Sequence, residues 1–464
     1  MSSYRKPFCL LTAFLLAAVC AFGQGMGAIF DEEAYSNLPR RAELAALSYE
    51  GLPSSFSLKQ YAPLPGDQAD YGTCVAWAAA YAARTISESV ALNRVNQTET
   101  TQNVFSPVHV YRNIRPDDPE CMRGAQIYSA LDLMRDTGAV KMLEVERTTS
   151  FPRVDLENYK ASRQYPIDDY ITLFSRDDRR KPALITRIVK KSLTEGKPVI
   201  IGMNTPDSFI DAKDVWRPRE NPEHFYYGHA MCVVGYDDSR FGGAFEVMNS
   251  WGRKWGNGGY IWIPYETFVS FVTEGYEIIE NIANFSDSIR FNGFVRMEIP
   301  GQNNAEFTLT ENKIYTTTGT YTGGTQFRYI VGTGESSYMY SFSVSQSLKD
   351  GRFYAPVLLF PQPGVSALLN YSDSSVILPG EGTLELGSEG TEYLITLYSK
   401  HTLDINGIMR RFQTSNGSIN KRLAAAVGEG LMTALTFSET EAAFTAAPDN
   451  PRVITALITA VEHR

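Results

Sequence analysis

"DQADYGTCVAWAAAYAART", residues Asp67–Thr85, is the stretch whose reading decides the fold. A polar turn punctuated by Gly72 gives way at Cys74 to a helical pattern. Ala76, Ala79, Ala80, Ala83, Ile86 and Val90 recur at helical spacing, which predicts a helix over 74–92. Its stripe is mostly small residues, so the helix is expected to lie close against a neighbour at the centre of its domain. Cys74 falls at the helix N-terminus, where unpaired N–H groups supply partial positive charge and favour a thiolate. A cysteine in an apolar segment is ordinarily core. To act as a nucleophile it needs a histidine for the ion pair, a third group to hold the imidazole, and donors for an oxyanion.

The rest of the chain offers each of these. The five histidines are His109, His224, His229, His401 and His463. His229 stands in "YGHAMCVVGYDD", just before an apolar run that reads as a buried strand. Twenty residues on, "EVMNSWGRKWGNGGYIWIPY" reads as a second strand delivering Asn249 at its end. Adjacent strands ending in His229 and Asn249 would set an amide carbonyl against the imidazole. Gln68, six residues before Cys74, could donate its amide to an oxyanion beside the Cys74 N–H. His224 is expected in a loop near the cleft and His109 in a structural role. Cys232 lies at an odd offset from His229 along a strand, so the two face opposite ways. That makes Cys232 core and undercuts His229–Cys232 as half of a zinc site, for which no second pair exists, so no metal is expected.

These motifs resemble the papain-type cysteine peptidases. Gln68 and Cys74 match the family's glutamine and catalytic cysteine. His229, Ala230, Gly235 and Tyr236 match its His-Ala-x-x-x-x-Gly-Tyr strand. Asn249, Ser250, Trp251, Gly252, Trp255, Gly256, Gly259 and Tyr260 match its Asn-Ser-Trp-Gly motif. The resemblance covers about half the chain and looks like a bacterial offshoot. It implies that Cys74, His229 and Asn249 are catalytic, that Gln68 serves the oxyanion, and that Trp251 covers the His–Asn bond. "CMRGAQIYSALDLM" is similar to the family's cleft-lining segment, which makes Gly124 the expected backbone contact for substrate. Val75 and Tyr71 stand where the family usually has tryptophan and a disulfide cysteine, so Cys121 is expected to be free. The lead before Leu52 is shorter than the family's usual inhibitory propeptide, so the resemblance does not extend to activation by loss of a long prodomain.

Composition agrees with an ordinary globular protein: 464 residues, 43% hydrophobic and 20% charged, with net charge −9. That balance disfavours a nucleic-acid binder, which needs a basic face. Arg5 and Lys6 precede the apolar run Phe8–Phe22, and Ala21-Phe22-Gly23 fits a cleavage site, so 1–23 reads as a signal peptide. The run is short for a membrane span. The mature chain is expected to be exported, without an integral membrane span, to a periplasm, cell surface or medium. Its three cysteines do not make a disulfide framework.

Residues 24–51 read as a short, charged, helical lead, and 52–280 as the papain-like domain. That domain is expected to be α+β, with a helical half and a β-barrel-like half. Further helices are predicted at Gly124–Asp136 and Ala183–Thr194, and strands at Pro198–Met203, Ala230–Tyr236 and Phe245–Ser250. From 290 to 464 the texture changes. "YMYSFSVSQ", "PVLLFPQPG", "SSVILPGEG" and "TEYLITLYS" alternate or cluster apolar residues between Pro, Gly and Asp, which predicts a β-rich domain. A helix near Lys421–Val427 and a last strand at Arg452–Val461 complete it, and binding or anchoring is its expected role. The function expected is an exported cysteine endopeptidase acting on protein or peptide substrates, with neither metal nor organic cofactor. A non-catalytic binding protein, or an acyl transferase or amidase using the same thiolate, are the alternatives.

Overall fold

The computed structural model describes residues 25–145, 163–280, 289–380 and 382–464. The expected signal peptide and the polar stretch 281–288 lie outside the described residues. The first body is built on one antiparallel sheet. Its strands are β1 (Ser55–Ser57), β2 (Asp169–Ser175), β3 (Val199–Thr205), β4 (Tyr227–Asp237), β5 (Ala244–Met248), β6 (Tyr260–Pro264) and β7 (Val272–Ile279). They run in the order β2-β7-β3-β4-β5-β6, with β1 pairing β4. The predicted strands are β3, β4 and β5, each shifted or extended by one to three residues.

The helix over 74–91 packs against β3 and β4. Ala76, Ala79, Ala80 and Ala83 have no exposed surface, so the missing side-chain bulk sets how closely the helix meets the sheet. Its middle, 77–84, is wound wide as π-helix, a form that is usually confined to short bulges and concentrated at functional sites. Trp77, two residues beyond the family's usual tryptophan position, is buried against Tyr81 with ring centroids 4.8 Å apart. The other predicted helices form at Ile127–Asp136 and Pro182–Thr194. Helices at Gln97–Gln102 and Pro107–Ile114 were not foreseen.

From Phe291 onward the chain forms a sandwich of two sheets. One is ordered 357–360, 337–346, 390–399, 454–463, 315–317, 307–309, and the other 374–378, 326–333, 291–298, 443–446, 436–437. Side chains cross between them: the Tyr329 hydroxyl lies 2.9 Å from Thr459 Oγ1, and the Tyr398 ring packs on Phe444. Helices Ile405–Thr414 and Ile419–Val427 cover the outer face of the first sheet through Phe412 on Phe342. The sandwich agrees with the β-rich expectation, and its last strand is Ile454–His463.

The lead departs from the sequence reading. Only Glu32–Ser36 is α-helical, with a short 3-10 turn at Ala46–Tyr49. The remainder is extended, because its backbone groups are taken by partners far away in sequence. Thr172, Gly364, Ser366 and Ser375 all hydrogen-bond to residues between 39 and 45.

Candidate active site

Three elements meet at Cys74. The residue opens its helix after Thr73, with the Gly72 N–H anchored on the Cys121 carbonyl at 2.8 Å. Strand β4 passes beside it and carries His229 near its start. β5 ends at Met248, opposite Cys232 of β4, so Asn249 emerges next to the histidine strand. Asn249 Oδ1 lies 2.7 Å from His229 Nε2. The same oxygen accepts the Ser250 N–H at 2.8 Å, which fixes the amide. The Trp251 indole stacks on the imidazole with centroids 4.6 Å apart and an angle of 26°. Phe209 and Trp255 pack on that indole in turn. The segments 66–68 and 250–252 are tied together: Gln68 N–H donates to the Ser250 carbonyl and Gly252 N–H to the Gly66 carbonyl, both at 2.8 Å. The pairing delivers Gln68 to the same cleft, its Oε1 accepting from the Ser250 hydroxyl.

The cleft is filled by the chain's own N-terminal residues. Gly25 N–H donates to the Ala69 carbonyl at 3.1 Å, and its carbonyl accepts from Gln68 Nε2 at 3.0 Å and Trp251 Nε1 at 3.1 Å. The Thr205 hydroxyl donates to the Met26 sulfur at 3.3 Å. Ala125 N–H donates to the Gly27 carbonyl at 2.8 Å, and Ile29 N–H to the Ala125 carbonyl at 2.9 Å, a parallel bridge. On the opposite wall Ala28 N–H donates to the Gly228 carbonyl at 3.0 Å. Residues 25–29 therefore join the two walls as a plug.

Glycines make this approach possible. A Cβ on Gly25 would sit 2.0 Å from the Tyr71 carbonyl oxygen, and one on Gly27 2.3 Å from that of Gly72. Gly124, with φ +77°, has no room for a Cβ either, which would lie 2.1 Å from the Gly27 carbonyl oxygen. Its own N–H goes to the Tyr111 hydroxyl at 3.0 Å and its carbonyl accepts from Arg115. Gly124 thus supplies clearance, and the backbone contact with the plug comes from Ala125.

The closed cleft sets the electrostatics. Cys74 and His229 are each 0% exposed. Burial pushes the Cys74 thiol up to about 11, against the backbone amides of Ala230, Gly27, Val75 and Ala28, which favour the thiolate. Burial also lowers His229 to about 4, against the Asn249 bond that favours imidazolium. Both groups are held neutral beneath the plug.

The other residues singled out in the sequence fall as follows. Cys232 is a buried residue of β4 and Cys121 is buried, and both are free thiols, as is Cys74. His224 is exposed beside the cleft entrance strand, its carbonyl accepting from Asn204. His109 is buried within its helix. Among the described residues no group of three His, Cys, Asp or Glu could hold a metal ion. No described helix is long and apolar enough to cross a membrane. Sequence reading missed Ala125, Gly228 and the plug. The signal available was the Gly25-Met26-Gly27 run, followed by isolated glycines at 72, 124 and 228, each a point of close backbone approach.

Residues 53–275 match the family model described as papain family cysteine protease. An uncharacterized peptidase C1-like protein of Acanthamoeba polyphaga mimivirus is 25% identical over 256 residues, spanning 51% of this chain and 76% of that protein. Among solved structures, xylellain, a cysteine protease from Xylella fastidiosa, is 20% identical over 56% of this chain and 96% of its own, with a TM-score of 0.43. Digestive procathepsin L 3 of Tenebrio molitor larval midgut is 18% identical over 53% of this chain and 77% of its own, with a TM-score of 0.38. Residues 53–275 are thus similar to the papain family of cysteine proteases, and the match spans just under half of the chain.

Proposed function

We propose that this chain is an exported cysteine endopeptidase, with Cys74, His229 and Asn249 as its catalytic residues and Gln68 as an oxyanion donor. The observation that carries the reading is the His229–Asn249 bond at 2.7 Å under the Trp251 indole, on the strand whose Ala230 amide meets the Cys74 sulfur. With the plug withdrawn, water returns to the cleft and the burial that holds both groups neutral is relieved. The helix N-terminus and the neighbouring amides then favour a thiolate, and the Asn249 oxygen favours an imidazolium.

In the reaction Cys74 attacks the scissile carbonyl, and the oxyanion is met by the Cys74 N–H and the Gln68 amide. His229 gives its proton to the departing amine, then draws one from the water that hydrolyses the acyl-enzyme. Asn249 keeps the imidazole turned toward the sulfur, and Trp251 keeps water from the His–Asn bond. Gly124 gives a peptide backbone room to approach, and Ala125 offers it an N–H and a carbonyl. The substrate is a protein or peptide, cut in an exported compartment.

The test is mass spectrometry with peptide mapping after exposure to an epoxysuccinyl thiol-peptidase inhibitor, on chain whose plug is unseated by Gly27→Val. A single adduct at Cys74 that disappears when His229 is replaced is the expected result. An open, folded cleft whose Cys74 takes iodoacetamide but no epoxysuccinyl group would overturn the reading in favour of a binding protein.

A further inference from the structure

The lead does more than reach the cleft. Behind the plug, residues 39–41 lie as a shared strand between the peptidase sheet and the C-terminal sandwich. On one side Thr172 N–H donates to the Pro39 carbonyl at 3.1 Å and Arg41 N–H to the Thr172 carbonyl at 2.9 Å. On the other, Arg40 N–H donates to the Gly364 carbonyl at 2.9 Å and Ser366 N–H to the Arg40 carbonyl at 2.8 Å. Farther along, Ala45 N–H donates to the Ser375 carbonyl at 2.8 Å, and Ser375 N–H to the Ser48 hydroxyl at 2.9 Å. The Arg41 guanidinium lies over the Tyr371 ring, 4.8 Å from its centroid, and donates to the Tyr371 hydroxyl. That hydroxyl also donates to the fully buried Glu277 and meets Ser192 at 2.7 Å. Lys197 closes the seam on the Asn370 carbonyl at 2.8 Å.

This seam holds the plug from behind. Only nine residues separate Ile29, the last of the plug, from Pro39, and five of them are coiled into the helix Glu32–Ser36. Tyr35 fixes that helix to the sheet, its hydroxyl donating to the Phe174 carbonyl at 2.6 Å. A plug on so short a tether reoccupies the cleft as an intramolecular event, at a high effective concentration that depends on the tether's root staying fixed. Part of that root belongs to the C-terminal sandwich.

We propose that the C-terminal β-sandwich is a brace for latency: it grips the lead at Arg40–Ser48 and so keeps residues 25–29 seated over Cys74. The idea rests on the peptidase reading of the cleft, but its test does not. The reagent is iodoacetamide, which asks only whether a thiol is exposed. Labelling of Cys74 in the full chain is followed by mass spectrometry under native, reducing conditions, with Cys232 in the core as the reporter of unfolding.

Gly27→Val, whose side chain cannot fit beneath the Gly72 carbonyl, calibrates the open cleft and is expected to label Cys74 at least about 100-fold faster than wild type, the loss of several backbone bonds at once. Ser366→Pro deletes one seam donor on the sandwich side, and with it the hydroxyl that accepts the Leu368 N–H within the sandwich, but its bonds reach neither the cleft nor the peptidase sheet. It is expected to speed labelling about 3- to 10-fold, the worth of one hydrogen bond. Ser48→Ala, a milder change, should act in the same direction if Ser366→Pro exposes Cys232. Wild-type rates in both seam variants, with Gly27→Val fast, would overturn the brace. A slow Gly27→Val would overturn it too, since the plug would not be what covers Cys74. If the open chain takes iodoacetamide but no epoxysuccinyl inhibitor, the peptidase reading fails while the brace stands.

Discussion

The His229 imidazole, bonded to Asn249 at 2.7 Å, lies stacked on the Trp251 indole, 4.6 Å apart at 26°. Trp251 also donates to the Gly25 carbonyl, so one ring serves both the site and its closure. Trp251→Ala is expected to lower kcat in the Gly27→Val chain with little change in KM, because water then competes for the His–Asn bond. It should also cost about 3–5 kcal/mol of stability, the usual range for a buried tryptophan. Trp251→Phe should recover most of the stability and part of the rate. Steady-state kinetics beside denaturant melts separate the two effects. An unchanged kcat in a stable Trp251→Phe chain, with Trp251→Ala equally active, would remove the shielding role.

Asn249→Ala leaves His229 Nε2 without its acceptor. A hydrogen bond to a charged imidazolium is worth about 1.5–3 kcal/mol, so kcat/KM is expected to fall about 10- to 100-fold. Asn249→Asp restores an acceptor and adds a negative charge beside the imidazolium, which raises its pKa. The alkaline limb of the rate profile should therefore move to higher pH. A limb that stays in place would mean the histidine does not carry the titrating proton.

The meeting of Cys74, His229 and Asn249 was legible because each sits in a local motif: a helix start at Cys74, a strand start at His229, a strand end at Asn249. Short-range pattern suffices for such positions, since chain direction and periodicity place them. The lead was misread for the opposite reason. "DEEAYSNLPRRAELAAL" has a charged, alanine-containing helical texture, yet its backbone groups are claimed by Thr172, Gly364, Ser366 and Ser375. Edge pairing across more than 100 residues leaves no periodic trace in the strand that is captured, and it overrides local helix propensity. The helix Ile405–Thr414 could have been found: Asp404 caps it through the Gly407 N–H, and Ile405, Ile408 and Phe412 form its buried stripe.

Burial lowers His229 to about 4 while the plug is seated. An unfolded histidine titrates near 6.5. Between those values the unfolded chain binds the extra proton, so stability rises with pH across the window and is lost as pH falls through about 4. The loss attributable to His229 is about 3 kcal/mol on going from pH 7 to pH 4. His109, pushed to about 4 by burial, adds a loss of the same sign. The check is therefore a difference: wild type should lose more stability over pH 7 to 4 than His229→Gln. Equal losses in the two chains would show that His229 is not held neutral in the closed state.

Glu274 on β7 presents the reverse case. It is buried between the sheet and the lead, where its carboxyl accepts from the Tyr276 hydroxyl, and burial raises it to about 8 against that bond. An unfolded glutamate titrates near 4.3. From about pH 4.3 to 8 the native chain keeps a proton that the unfolded chain has released. Stability attributable to this group is full below 4.3 and declines as pH rises through 8. Glu274→Gln keeps an acceptor for Tyr276 and cannot ionise. It should match wild type at pH 4 and exceed it by up to about 3 kcal/mol at pH 7. Denaturant melts of both chains across that range decide the point. Parallel curves would mean that Glu274 is ionised in the folded protein and that its cluster with Tyr276 and Tyr35 admits water.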